Sequence, residues 1–323
     1  MEALKKQDAR ELSIYFLVTY GLTYLVGFIF LFKKVQDTNM QIYLSTMFPA
    51  MGAAIAMRDR SGNKNNTRYL HYIIFAYFGI SLLVFIVKIS GLLKNTGADD
   101  IMLLPTIMAS IAIFFYTWIS CPRLSPSRNI KKAALPIILA LLIELFKNII
   151  AAWDNLNIAA IIFTLLYIFP SFFLCSIVYL GEEYGWRGFL QEKLQTKFGL
   201  RKGVILLGIL WELWHIPFYY GWFGTTYTTP QFAAVIIIRI ISTISMAIFI
   251  GWAYLRTSNI WICLLIHQIH NSISSATPIS TLTPLNITLM IILSALPALV
   301  IFTKEYKRKS TRPNLYSAIS VGQ

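Results

Sequence analysis

The sequence predicts an all-α protein, a polytopic transmembrane helical bundle of about ten spans, with eight to ten as the range. Of its 323 residues, 57% are hydrophobic and 13% are charged, which is too apolar for an ordinary soluble domain. Charged breaks divide the chain into apolar segments of roughly bilayer-spanning length. The alternation typical of a β-barrel does not occur in them. Because backbone groups in lipid must be satisfied within each segment, helices are the remaining solution.

Ten apolar segments follow one another along the chain. The first comes after Lys5, Lys6 and Arg10, as a signal peptide would, but it continues to Lys33 and Lys34 without a small-residue cleavage site. We therefore interpret it as a retained span. The segments run approximately over residues 12–32, 41–57, 69–87, 101–120, 133–152, 158–181, 203–223, 232–255, 258–275 and 285–303.

The net charge of +14 predicts the orientation of the chain in a cell membrane. With the N-terminus inside, the cytoplasmic loops and termini of the ten-span arrangement hold 22 Lys and Arg residues, and the outer side holds 5 when Lys147, near the outer end of the fifth segment, is counted with the loops. Cytoplasmic loops carry such an excess in membrane proteins, so we expect both termini in the cytoplasm. The basic residues are not gathered on one amphipathic element, and no nucleic-acid-binding motif accompanies them. We therefore expect the lipid bilayer, and not nucleic acid, as their partner.

Polar residues inside the apolar segments are the candidates for function, because ionisable groups within a membrane are costly and are retained for a reason. They concentrate in the second half of the chain. Three short windows hold most of them: Glu182, Glu183 and Arg187; Trp211, Glu212 and His215; and His267, His270 and Asn271.

The two glutamates of the first window are expected to point in different directions. Glu183 and Arg187 are four residues apart and can form an ion pair on one helix face, whereas Glu182 is rotated from them by about 100°. For Glu182 to meet the histidines, the sixth helix must extend to about Leu190, with Arg187 reaching toward the cytoplasmic interface. This extension is a specific prediction about a segment that hydropathy alone would end earlier.

Small residues in the first window favour a close helix contact. Gly181 and Gly185 form a small-xxx-small pair, which lets another helix approach the carboxylates. In the second window, Pro217 removes a backbone hydrogen bond to Leu213 and loosens the helix beside His215. In the third, an imidazole and a carboxamide four residues apart are a plausible pair of donors to an oxyanion.

Other intramembrane polar residues have structural interpretations. A single histidine in a membrane helix commonly bonds to a neighbouring helix, and oppositely charged residues three or four apart commonly pair. Four polar side chains on three helices are harder to explain in this way, which leaves the catalytic interpretation for Glu182, His215, His267 and Asn271. The residues interpreted as structural are His71, His270, Glu144 with Lys147, and Glu212 with Arg239 or His215 as its partner.

Three motifs in this order resemble the CPBP family of CAAX prenyl endopeptidases and bacteriocin-processing enzymes, also called the Abi family. The resemblance covers roughly residues 158–275. Tryptophan stands where phenylalanine is commoner, a change that preserves an aromatic wall. The motifs are Glu-Glu-x-x-x-Arg at Glu182 to Arg187, an aromatic residue four before a histidine at Trp211 and His215, and His-x-x-x-Asn at His267 to Asn271.

The resemblance implies an intramembrane endopeptidase. In that family pattern, Glu182 with His215 activates a water that attacks the scissile carbonyl, and His267 with Asn271 stabilises the resulting oxyanion. It also implies supporting roles for Glu183, Arg187 and Trp211. Residues 1–132 are then expected to be accessory helices, residues 133–303 the catalytic core, and residues 304–323 a basic cytoplasmic tail.

The use of a metal is open at this point. Glu182, His215 and His267 could hold Zn²⁺ with one position left for water, but the His-Glu-x-x-His signature of zincins does not occur. We therefore favour a glutamate-dependent mechanism without a cofactor, and zinc is the alternative. No Gly-x-Ser-x-Gly elbow lies within the segments, which disfavours a serine mechanism.

The expected substrate is a peptide or protein that is membrane-associated or bears a leader. The eukaryotic family acts on prenylated proteins, but this Ile-, Asn- and Lys-rich chain looks bacterial, where such prenylation is not expected. Two other functions remain open: a non-catalytic bacteriocin self-immunity or scaffold protein that retains the motifs, and a transporter whose polar cluster relays protons.

Overall fold

A computed structural model describes residues 2–33, 38–58, 67–92, 97–153, 156–219, 229–276 and 283–308. Nearly all of these residues are helical, and no strand occurs among them, so the all-α prediction is confirmed. The end of the predicted seventh segment, at residues 220–223, and the basic tail beyond residue 308 lie outside the described residues.

The helices follow one another with short connections. Two π-helical turns, Leu17–Gly21 and Trp186–Leu190, join α1 to α2 and α9 to α10 without a break. Turns of 3-10 helix occur at Ile130–Lys132, Ile216–Phe218 and Leu296–Phe302. The α-helices are α1 (Glu2–Phe16), α2 (Leu22–Lys33), α3 (Thr38–Ser45), α4 (Met47–Ala56), α5 (Arg68–Ile89), α6 (Ala98–Ser120), α7 (Ala134–Ala151), α8 (Ile158–Leu174), α9 (Ser176–Gly185), α10 (Gln191–Phe198), α11 (Leu200–His215), α12 (Thr229–Thr257), α13 (Ile260–Ala276), α14 (Pro284–Ser294) and α15 (Lys304–Lys307).

The long apolar helices make the chain a multi-pass membrane protein. Among the described residues, six helices are long and apolar enough to cross a membrane. A seventh is added if α8 and the helix Ser176–Phe198, which bend by 72° at their junction, count as one broken span. The six are Gln7–Lys33, Arg68–Ile89, Asp99–Ser120, Ile130–Ala151, Pro230–Thr257 and Pro284–Phe302.

The expected count of about ten spans is not confirmed, because several apolar segments form helices that are too short. The segment 41–57 divides into α3 and α4, which have 8 and 10 residues. The segment that begins at residue 203 belongs to α11, which has 16 residues and ends at His215, just before Pro217. The segment 258–275 forms α13, which has 17 residues.

The sixth segment also differs from the single helix expected over residues 158–181. Its first part, α8, ends at Leu174, and a new helix begins at Ser176 in another direction. Cys175 at the junction has a non-helical backbone, with φ −125° and ψ 11°. The first backbone N–H groups of a helix have no carbonyl partner within that helix. One of them, the N–H of Ile177, donates instead to the Ser110 hydroxyl at 3.1 Å.

The chain forms two compact units, each built from separate stretches of sequence. The first unit comprises residues 1–125, 173–193 and 214–225, and the second comprises residues 126–172, 194–213 and 226–323. The first unit therefore contains α9 and the segment that begins at Trp214. The second contains most of α11, together with α12 and α13.

In the first unit, α9 packs directly on α4 through glycine. A Cβ atom on Gly181 would collide with the Thr46 carbonyl and with the Met47 side chain. A Cβ on Gly185 would collide with the backbone and ring of Pro49. The close helix approach predicted from the glycine spacing is therefore confirmed.

The first apolar segment, interpreted as retained, lies in the first unit as well. The ring of Tyr15 packs edge-on against Trp186, with 6.0 Å between their centroids. The Trp214 indole N–H donates to the Thr23 hydroxyl at 2.8 Å. The side chain of Lys193 on α10 bonds to the carboxylate of Glu11 on α1 at 2.7 Å. The first N-terminal helices thus pack against the segment that carries the first motif and against Trp214 beside His215.

In the second unit, α11 and α13 both pack near α12. A Cβ on Gly208 of α11 would lie 2.7 Å from the Cα of Ile244 on α12, so these two helices are in backbone contact. At the start of α13, the Asn259 amide donates to the carbonyls of Pro126 at 2.9 Å and Arg128 at 2.7 Å. This contact ties the beginning of α13 to the loop that precedes α7.

Candidate active site

The helix that carries the first motif extends as the sequence predicted. It runs from Ser176 through the π-helical turn to Phe198, well beyond Leu190. π-helical turns inside α-helices occur frequently at functional sites. The first motif therefore lies within a continuous helix and not at a helix end.

The predicted ion pair of this motif is confirmed, but the predicted position of Arg187 is wrong. The Arg187 Nη1 donates to Glu183 Oε1 at 3.1 Å, and its Nε lies 3.1 Å from Oε2. Both side chains are fully buried. Arg187 does not reach toward an interface, because the buried carboxylate of Glu183 holds it in the interior. Breaking such a pair leaves an uncompensated buried charge, so both residues are strongly constrained.

Glu182 is the neighbouring carboxylate of the same turn. It is buried, with 7% of its surface exposed. One residue before Glu183, it points about 100° away from the ion pair around the helix axis. The two carboxylates of the motif therefore leave the helix in different directions.

His215 lies in the same unit as Glu182 and is half-buried. Its ring packs between Trp214 and Phe218, with centroid distances of 4.9 and 6.1 Å. The helix α11 ends at His215 and continues as a 3-10 turn that contains Pro217, which confirms the predicted irregularity beside the histidine.

Two tryptophans connect the first motif to the segment of His215. The ring of Trp186 packs edge-on against the ring of Trp214, with 5.9 Å between centroids, and both are fully buried. Trp186 begins the π-helical turn after Glu182 and Glu183, and Trp214 immediately precedes His215. The structure thus packs together the two chain segments that bear Glu182 and His215.

The second unit contains the other predicted residues, Trp211, His267 and Asn271. The Trp211 ring lies edge-on to the His267 imidazole, with 5.1 Å between centroids and an interplanar angle of 86°. Both are buried, with 3% and 4% exposed. Asn271 follows one turn later on α13, and its side chain is exposed. An aromatic wall against His267 is therefore a feature of the structure.

Two residues interpreted as structural have the expected kind of partner. The His71 Nε2 lies 2.9 Å from the Tyr184 hydroxyl on another helix. Glu212 pairs with Arg239, one of the two partners considered, with 3.3 Å from each carboxylate oxygen to a guanidinium nitrogen. The Thr243 hydroxyl also donates to Glu212, at 2.6 Å.

Sequence reasoning missed a buried network that joins α7 to α13. Glu144 and Lys147 form the expected pair at 2.6 Å, and Glu144 also lies 2.9 Å from the Nδ1 of His270. The side chain of Asn148 adds a hydrogen bond to Glu144 at 3.2 Å. His270 and Glu144 were each interpreted as structural, but their contact was not predicted. They are 126 residues apart, so no local spacing could have revealed it.

The zinc alternative receives no support from side-chain clustering. In the described part of the chain, no group of three or more His, Cys, Asp or Glu side chains could hold a metal ion. Whether Glu182, His215 and His267 use a metal is decided by metal analysis of the purified protein.

Comparisons with known proteins agree with the motifs. Residues 163–273 match the sequence family described as type II CAAX prenyl endopeptidase Rce1-like, and this stretch includes all three motifs. A stretch of 48 residues is 46% identical to CAAX prenyl protease 2 of Methanococcus maripaludis. That stretch covers 15% of this chain and 18% of the relative, less than a fifth of its length. No solved structure gives a significant match. The family resemblance seen in the sequence is confirmed over the matched residues.

Proposed function

We propose that this chain is an intramembrane endopeptidase that hydrolyses peptide bonds of membrane-associated or leader-bearing substrates. The observation that carries the proposal is the division of roles within the first motif, in a stretch that matches a protease family. Glu183 is neutralised by Arg187 inside the helix, and Glu182 sits on a different face of the same turn. Glu182 also shares a compact unit with His215.

In this mechanism Glu182, assisted by His215, takes a proton from a water molecule. The water oxygen attacks the scissile carbonyl carbon, and the carbonyl oxygen becomes an oxyanion. His267 and Asn271 donate hydrogen bonds to that oxygen, where developing charge is most effectively stabilised by fixed donors. The proton held by Glu182 then passes to the leaving amine as the C–N bond breaks, so one carboxylate serves as base and then as acid.

The supporting residues act through packing and charge. The edge of Trp211 against His267 restricts the orientation of the imidazole. The buried pair of Glu183 and Arg187 keeps the helix of Glu182 intact around the π-helical turn. We propose that no metal takes part, and that both termini lie in the cytoplasm, where substrates would enter along the basic side of the protein.

The central test compares two adjacent carboxylates. We expect Glu182→Gln to lower kcat by about 10²–10⁴-fold, the range for loss of a general base, with an unchanged thermal midpoint. The matched control, Glu183→Gln, should instead lower the stability by about 3–5 kcal/mol, because it leaves Arg187 buried without its counter-ion. Cleavage would be measured on quenched fluorescent peptides, with and without an isoprenylated C-terminal cysteine, by protein purified in lipid nanodiscs.

Full activity in two variants together would overturn the enzymatic account. If Glu182→Gln and His215→Ala both retained full cleavage and the full cellular phenotype, the motifs would not be catalytic, and an immunity or scaffold role would be favoured. Metal analysis addresses the mechanism separately. Stoichiometric zinc in purified protein, with cleavage abolished by a chelator and restored by zinc, would contradict the metal-free proposal while preserving the peptidase.

A further inference from the structure

Two polar anchors flank the face of α13 that carries His267 and Asn271. On a helix with about 100° per residue, His267 and Asn271 lie about 40° apart. Gln268 lies about 100° to one side of His267, and His270 lies about 60° to the other side. Both flanking side chains form hydrogen bonds to other helices of the second unit, so the face between them is bounded on both sides.

The first anchor joins α13 to α8. The Gln268 amide is almost fully buried and donates to the Ile168 carbonyl at 3.1 Å. It also donates to the Ser171 hydroxyl, whose own proton is directed to the Tyr167 carbonyl at 2.8 Å. One side chain thus engages a turn of α8 at two points, and a rotation of α13 would break both bonds.

The second anchor joins α13 to α7 and is charged. The Lys147 ammonium lies 2.6 Å from Oε2 of Glu144, and the His270 Nδ1 lies 2.9 Å from Oε1 of the same carboxylate. The side chains of Glu144 and Lys147 are 2% and 9% exposed, and that of His270 is 19% exposed. The Lys147 ammonium also lies 3.5 Å from the His270 Nδ1, but the contact of that nitrogen with Glu144 is shorter, at 2.9 Å. Because an ionised carboxylate only accepts hydrogen bonds, we assign the Nδ1 proton of His270 to the bond with Glu144. This bond fixes both the tautomer and the rotation of the ring.

The simpler interpretation is that these contacts only hold helices together, since interhelical hydrogen bonds in membranes contribute about 0.6 kcal/mol on average. Their position argues for more. The first turns of α13 are packed mainly by buried apolar side chains, including Ile260, Trp261 and Ile262. The two anchors, Gln268 and His270, both lie between His267 and Asn271. Burying a carboxylate and an ammonium costs desolvation free energy, so such a pair is a poor way merely to hold two helices together. Here the pair contacts the turn of α13 whose rotation sets the directions of the His267 and Asn271 side chains.

We infer that Glu144, held by Lys147, is a positioning residue that acts through His270 to fix the rotation of α13 and thereby the placement of His267 and Asn271. The inference rests on the proposed peptidase function for its kinetic consequence. It assigns the reaction a residue on α7, which lies outside the stretch that matches the protease family. Gln268 provides the opposing anchor on α8.

The test uses two double variants that both remove the buried charges. Glu144→Gln with Lys147→Met keeps an oxygen that can accept from His270, whereas Glu144→Met with Lys147→Met removes it. We expect the Met/Met variant to lower kcat by about 10–100-fold with KM changed less than about twofold, as expected when donors to the oxyanion are displaced. The Gln/Met variant should retain kcat within about threefold of the wild-type protein. Thermal midpoints of the two variants should be similar.

A readout that does not depend on activity comes from ¹⁵N-histidine NMR of the same proteins. The wild-type and Gln/Met proteins should show His270 protonated at Nδ1 and the same His267 ring signals. The Met/Met protein should shift the signals of both rings. If the Met/Met variant kept wild-type kcat, or if both variants lost kcat equally, the positioning role would be wrong.

The NMR result also separates the two proposals. If the wild-type protein cleaved no peptide and Glu182→Gln changed nothing, the proposed function would fail. The positioning of His267 by Glu144 would then be judged by the ring signals alone, and unchanged His267 signals in the Met/Met protein would overturn it.

Discussion

The helices α9 and α13 each carry part of the candidate site, and they are held in place in opposite ways. In the first unit, α9 is seated by backbone contact, because Gly181 and Gly185 leave no side chain between it and α4. In the second unit, α13 is seated by polar side chains, with Gln268 and His270 bonded to α8 and α7. The close approach of α9 to α4 depends on shape, whereas the turn of α13 that carries His267 is held by side-chain hydrogen bonds.

The difference suits the chemistry assigned to each helix. A helix fixed by close backbone packing tolerates no added atom at the contact, but its polar groups remain available for reaction. A helix fixed by side-chain hydrogen bonds is sensitive to its rotation, and the loss of one bond alters orientation more than it alters stability. We therefore expect substitutions in α9 contacts to act on folding, and substitutions in α13 contacts to act on turnover.

Among substitutions at the contacts of α9 and α13, the largest effect on stability is expected at the backbone contact of α9. Gly185→Ala places a methyl group against the backbone of Pro49, which cannot move aside as a flexible side chain could. We expect a loss of about 1–3 kcal/mol of stability, the usual consequence of overpacking. The free energy of unfolding would be measured by denaturant titration in mixed micelles.

The matched control for that substitution is Gly79→Ala in α5, where an added Cβ meets nothing within 4 Å. Alanine should be neutral or stabilising there, by up to about 1 kcal/mol, because glycine is unfavourable within a helix. Equal destabilisation by both variants would contradict the idea that close packing, and not helix propensity, makes glycine necessary in α9.

A smaller effect on stability is expected from the polar contact of α13. Gln268→Leu has a similar volume but removes the donors to Ile168 and Ser171, and we expect a loss of about 1 kcal/mol. The companion variant Ser171→Ala keeps the bond to the Ile168 carbonyl and should be milder. If the rotation of α13 matters, Gln268→Leu will reduce kcat by a larger factor than its loss of stability suggests, as measured in steady-state assays.

The smallest expected effect concerns a polar contact of α15 whose basic partner is partly exposed. Glu305 on α15 accepts from the Trp252 indole at 3.2 Å and from Arg256 at 3.0 Å. Burial alone would raise the pKa of Glu305, but hydrogen bonds from its own backbone, Trp252, Thr303 and Arg256 outweigh it and hold the pKa below the ordinary value. A lowered pKa stabilises the folded state above the unfolded pKa of about 4.3, and the contribution is lost as the pH falls through the folded pKa.

Thermal midpoints of the wild-type protein and Glu305→Gln, compared at pH 7 and pH 3, would measure this contribution. We expect the wild-type advantage at pH 7 to be below about 1 kcal/mol, because Arg256 is partly exposed, and to be smaller at pH 3. An advantage that grew on acidification would contradict the sign. The result would show how much weaker an ion pair with a partly exposed partner is than the buried anchors of α13.

Local spacing predicted the features that depend on neighbouring residues. The pair of Glu183 with Arg187 and the contact through Gly181 and Gly185 follow from the periodicity of one helix, and both are present. Features that depend on distant segments were missed. The contact of Glu144 with His270 involves residues from two helices, and the burial of Arg187 depends on what surrounds α9.

The number of spans could not be read from apolar length because hydropathy does not record where a helix ends. Apolar composition continues through the junction of α3 and α4 and past the end of α11, but the α-helix ends at each place, with a turn at Thr46 and a 3-10 helix at Ile216–Phe218. Proline explains the second case, since Pro217 lacks the N–H that an α-helix would need. The break at Cys175 has no comparable signal at that residue.

The glycine contact between α9 and α4 also bears on how the protein is made. Thr46, Met47 and Pro49 are synthesised long before Glu182, and they provide the surface against which its helix is fitted. N-terminal segments generally fold first during synthesis. We therefore expect the surface that receives α9 to be synthesised and folded before the helix of the first motif leaves the ribosome.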